Sequence, residues 1–104
     1  MISQDRLEKA ITFLAESDNS FAEAKVDMER AKHKADAVQN AIFLRETGTV
    51  AERSAKAGIS EEYDKAMSVY FEAMGLFDYI RNKRRTEELV VDIWRSIEAS
   101  RRKA

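Results

Sequence analysis

Six residues, Leu7, Leu14, Phe21, Met28, Ala35 and Ile42, recur every seven positions through six heptads. A helix needs this sustained spacing to keep one narrow face against another helix. The companion positions three residues on are Ala10, Ser17, Ala24, Ala31, Val38 and Arg45. Most are small, so a partner backbone can approach closely. Nothing in the composition opposes a helical reading: the chain has no proline and only three glycines. The fold class that follows is all-α.

Local signals set the expected boundaries. Ser3 can cap a first helix whose first turn holds Asp5, and the heptads carry that helix from about residue 3 to 46. Thr47 and Gly48 stop it, with Gly48 suited to the left-handed conformation that commonly ends helices. The "TVAE" segment that follows has the form of a capping box on Thr49 and Glu52, which predicts a short turn of helix from Val50 to Lys56 inside a connector of residues 47–59. Gly58 ends that turn. Ser60 then caps a second long helix, opened by Glu61 and Glu62 and running from about residue 60 to 100.

The stripe of the second helix is Tyr63, Ala66, Met67, Tyr70, Ala73, Met74, Phe77 and Ile80, resuming at Val90, Val91, Trp94 and Ile97. Between the two parts lies "RNKRRTEE", residues 81–88, without an apolar side chain. Two helices of similar length joined by a short connector fold back most simply as an antiparallel coiled-coil hairpin, a single domain over residues 1–104. In that pairing Ile42 meets the Tyr63 region, Met28 meets Phe77, and Leu14 meets Val91 and Trp94. Arg84 and Glu87 fall opposite Phe21 and the polar run "SDNS" of residues 17–20, giving both helices a polar waist at one level. "SFAE" from Ser20 to Glu23 is a second possible capping box, so the first helix could break there; the continuous helix is the expectation.

A lone hairpin has one seam, and this chain carries apolar side chains off it. Phe13, Ile11, Val26, Phe43, Val69, Phe71, Leu76, Tyr79, Leu89 and Ile93 cannot all face one neighbouring helix. A second helical layer would cover them, and a homodimer forming a four-helix bundle is the economical solution.

Composition excludes several chemistries. Without cysteine there is neither a disulfide nor a thiolate metal site, and no apolar run is long enough for a membrane span or a secretory signal core, so a cytoplasmic location is expected. His33, the only histidine, has Glu29 and Asp36 on its helical face, but Arg30, Lys32 and Lys34 make this a charged surface where ion pairing is expected, and no metal. "TGTVAE" lacks the spacing of a phosphate loop. Arg45, Arg84 and Glu87 occupy seam-like positions, as catalytic charges in a small helical enzyme can. Their spread along the chain points instead to packing or ion pairs, so no catalytic residue and no cofactor is assigned.

Charge is unevenly distributed. Residues 1–80 hold ten basic against fifteen acidic side chains, while residues 81–104 hold eight against four. The basic groups form two sets: Arg81, Lys83, Arg84 and Arg85 at the waist, and Arg95, Arg101, Arg102 and Lys103 at the end. Residues 81, 84, 85 and 95 lie along roughly one side of a helix, a geometry able to follow a phosphate backbone. Glu87, Glu88, Asp92 and Glu98 are interleaved, and basic residues in a last turn also complement the helix dipole. Trp94 lies on the apolar stripe, as a core residue rather than a base-stacking platform.

"GTVAER" in the connector together with "YIRNKRRTEELVVDIWRSIEASRR" at the C-terminal end resembles a group of small helical proteins encoded by tailed bacteriophages among early, replication and recombination genes. The resemblance covers most of the chain and brings no catalytic motif. It implies phage origin and a non-enzymatic accessory role; with the off-seam apolar residues and the basic C-terminal region, the expectation is a homo-oligomer in the host cytoplasm that contacts DNA or a phage or host replication or recombination protein. The eight basic residues would be the contact surface. The alternative is an adaptor or inhibitor of a host protein with no nucleic-acid contact.

Overall fold

A computed structural model describes residues 2–103. Among these residues there are four helices and no strand: α1 (Gln4–Glu16), α2 (Asp18–Arg45), α3 (Val50–Gly58) and α4 (Glu61–Lys103). None is long and apolar enough to cross a membrane.

The helix ends follow the capping residues. Ser3 accepts a hydrogen bond from the Arg6 amide at 3.0 Å, Thr49 from the Glu52 amide at 3.1 Å, and Ser60 from the Tyr63 amide at 3.1 Å. Each side-chain oxygen thus satisfies a donor that the first helical turn leaves without a partner. Gly48 takes φ +117°, the left-handed backbone that turns the chain from α2 towards α3. The connector helix runs to Gly58, two residues beyond the expected Lys56, and α4 extends to Lys103 rather than 100.

The expected continuous first helix is corrected. Ser17 stands outside both α1 and α2, with φ −92° and ψ −1°, and divides the heptad-bearing segment in two. The "SFAE" box does not start a helix either, since Ser20 lies inside α2.

The chain divides into two compact units, Met1–Ala22 with Asp78–Ala104, and Glu23–Phe77. In the first, Leu7, Ala10 and Ser17 are buried. Its long-range hydrogen bonds join residue 6 to 87 and residue 17 to 84, so the two segments run in opposite senses. In the second unit, Ala24, Ala35, Ile42 and Ala57 are buried. Arg45 grips Glu62 through both guanidinium nitrogens, at 3.2 and 2.6 Å, and α3 is held to the end of α2 by Arg53, whose Nε donates to the Phe43 carbonyl at 3.0 Å.

Every buried residue of α1 and α2, and the buried Ser17 between them, belongs to the two seven-residue columns read from the sequence. The stripe residues of α4 are all half-buried, and none of its side chains is fully enclosed. Four of the six buried apolar residues are alanines. A seam of alanines brings helices close together but removes little apolar surface from water, because each methyl contributes a small area.

Candidate functional site

The densest set of polar contacts lies in the first unit, around the break at Ser17. Ser17, Asp18, Asn19 and Ser20 are consecutive residues whose short polar side chains compete with the helical backbone for hydrogen bonds. The backbone remains bonded on both sides: the Ser17 amide donates to the Phe13 carbonyl and the Phe21 amide to the Ser17 carbonyl, each at 2.9 Å.

Arg84 enters this gap from α4. Its Nη1 donates to the Leu14 carbonyl at 2.9 Å and to Ser17 Oγ at 2.6 Å, while Nη2 donates to Asp18 Oδ1 at 2.7 Å. The guanidinium also lies 5.2 Å from the Phe21 ring centre. Carbonyls in the last turn of a helix lack a helical donor. The planar fork of arginine supplies one to Leu14 and engages the side chains on either side of the break at the same time. Only 15% of the Arg84 side chain is exposed.

One turn further along α4, Glu87 accepts two hydrogen bonds from Arg6, at 2.6 and 2.9 Å, with its carboxylate largely enclosed. The hydrogen bond to Glu87 raises the Arg6 pKa further above its already high ordinary value. Glu87 was expected opposite residues 17–20; it reaches α1 instead. Arg45, Arg84 and Glu87, the three seam-like charges, thus all form long-range ion pairs. Near His33, Asp36 pairs with Lys32 at 3.0 Å, and among the described residues no cluster of metal-ligating side chains forms.

The eight basic residues singled out in the sequence separate into three situations. Arg84 is withdrawn into the fold. Arg81 and Arg101 pair one turn back along α4, with Asp78 at 2.9 Å and Glu98 at 3.2 Å, and the Lys83 ammonium lies 4.7 Å from the Phe13 ring centre. Arg85, Arg95, Arg102 and Lys103 are exposed, and no ion pair among the described residues engages them. The sequence pairing of Arg84 with Phe21 and the run of residues 17–20 agrees with its contacts to Ser17, Asp18 and the Phe21 ring, while Arg6 and the Leu14 carbonyl are missing from the sequence reading. Ser17 stood in the small-residue column and Arg84 in the seam, but no local signal marks which hydroxyl an arginine so distant in sequence will meet.

Comparison with known protein families, curated proteins and solved structures finds no match to this chain.

Proposed function

We propose that this chain is a non-enzymatic accessory module of DNA metabolism in a tailed phage. In this reading the segment of α1 and α2 forms an antiparallel hairpin with α4 that pairs with a second copy as a four-helix bundle, and the basic residues of the first unit contact DNA or a replication or recombination protein. The exposed side chains of Arg85, Arg95, Arg102 and Lys103, which no ion pair among the described residues engages, carry the proposal. Four cations free to meet phosphates release counterions on binding, which makes the affinity steeply salt-dependent.

Arg84 leaves the contact set in this reading, because its side chain is largely enclosed and three of its five N–H donors are engaged within the fold. The informative substitutions are Arg95→Gln and Arg102→Gln. Each should reduce the slope of log affinity against log salt by about one for double-stranded DNA. Absence of salt-sensitive binding to single- or double-stranded DNA would reject nucleic-acid contact. The exposed apolar side chains favour a second reading, an adaptor or inhibitor that binds a host protein. Recovery of one stoichiometric protein partner that survives nuclease treatment would favour that reading.

A further inference from the structure

Within the first unit, α1 is tied in differently from α4. Its 13 residues put it at the length where a helix on its own is marginal in water. Ser17 divides it from α2, and the Leu14 carbonyl at that junction takes a donor from Arg84 on the opposite segment. By contrast, α4 runs without a break from Glu61 to Lys103, so its end propagates from helix already formed. α1 also seals little apolar surface. Of its side chains only Leu7 and Ala10 are buried, Phe13 and Leu14 are half-buried, and Ile11 is exposed.

Two arginine forks hold α1, and they grip it near its two ends. Arg6, in the first turn, donates to Glu87 at 2.6 and 2.9 Å, and Arg84 donates to Leu14, Ser17 and Asp18 at the far end. Their α4 residues, 84 and 87, lie one turn apart. A helix pinned at both ends is held against fraying from its first residue and comes away as one body. Segments with few buried apolar contacts open at a lower free energy than the whole fold. Within this unit the half-buried Val90, Val91 and Trp94 of α4 have only residues 2–22 to pack against, so the same opening bares them.

We propose that α1 is a strap that lifts from α4 as one body about Ser17, with Arg6–Glu87 and Arg84–Ser17 as its clasps. Closed, it covers the Val90, Val91 and Trp94 stretch. Ser17 is the hinge, because residues at the ends of elements absorb the backbone rotation of such movements. The second unit, in which Ala24, Ala35, Ile42 and Ala57 are buried, keeps its packing while the strap is open. The inference stands apart from DNA contact and from self-association.

The chain has no natural cysteine, so a single thiol at a buried site reports opening through its rate of alkylation. Leu7→Cys in α1 and Ile42→Cys in α2 form one matched pair, 5% and 2% exposed, and Ala10→Cys with Ala35→Cys a second, both fully enclosed. Circular dichroism establishes that each variant keeps its helicity, and the second pair carries the test should the larger truncations unfold the chain. The expected result is alkylation at 7 and 10 at least about tenfold faster than at 42 and 35, with a shallower rise in urea because the opening exposes less surface. Adding Arg6→Gln, which removes one clasp, should speed position 7 by about a further tenfold. Adding Gly48→Ala, which weakens the second unit, should speed position 42 by at least about fivefold and leave position 7 unchanged. Equal rates in the two helices, or a Gly48→Ala effect of equal size on both, would overturn the strap, since α1 would then open only with the whole fold. Fast alkylation at 7 with position 10 as slow as 35 would overturn it too, by assigning the opening to fraying. An unchanged rate at 7 in the Arg6→Gln background would overturn the clasp.

Discussion

Arg84 changes role between sequence and structure. In the sequence it is one of four cations in a basic block; in the fold its guanidinium bridges the break between α1 and α2. Arg84→Ala should therefore destabilise the protein by about 2–4 kcal/mol, because the Leu14 carbonyl, Ser17 and Asp18 lose a charged donor together. Chemical unfolding at fixed protein concentration measures this, and a change below about 0.5 kcal/mol would contradict the bridging role. Gly48 allows a second test at this scale. Its φ of +117° strains any L side chain, and an added Cβ would meet Glu52 Oε2 at 2.5 Å. Gly48→Ala should cost about 1–2 kcal/mol, read from the same unfolding curves. The Gly48 role was legible from local signals alone. The Arg84 role was legible in part: the hairpin pairing set it opposite "SDNS", but that run offers two serines that can cap a helix, and the choice of Ser17 is made with a side chain 67 residues away.

For the helices, the heptads of α1 and α2 were a sound guide to burial because a seven-residue column in a helix has one direction whatever the partner is. The three-residue offset between "SFAE" and the real break shows where such reading stops, since capping patterns name candidates and tertiary contacts select among them. Within α4, Gly75 is exposed, and a Cβ added there meets nothing within 4 Å. Gly75→Ala should raise stability by about 0.5–1 kcal/mol through helix propensity and a less disordered unfolded chain. A loss of stability would mean that α4 is not a regular helix there. The pair joining the start of α4 to the end of α2 has a pH signature. The hydrogen bond from Arg45 lowers the Glu62 pKa, so the pair's contribution is present above the ordinary carboxylate range and lost as pH falls through the lowered value. Stability curves of wild type and Glu62→Gln should converge as acid protonates Glu62; parallel curves over that range would contradict this assignment.

At the level of the whole molecule, charge balance and apolar surface carry the argument. The excess of basic residues after position 80 and its division into two sets were plain in the sequence. The fold divides them into a structural arginine, locally paired or ring-stacked side chains, and four exposed side chains that no ion pair among the described residues engages, because several carboxylates and one ring lie within reach of the others. Pairs one turn apart, such as Arg81 with Asp78 and Arg101 with Glu98, follow from spacing alone. The apolar residues left off the seam were equally visible, and eleven large hydrophobic residues remain exposed beside a core of two large side chains and four alanines. This imbalance is the physical basis of the proposed self-association, on which the proposed bundle depends. Sedimentation equilibrium over a wide concentration range tests it most directly. The account predicts a mass of twice 11.9 kDa, falling only on strong dilution. A constant 11.9 kDa with helicity intact would contradict it.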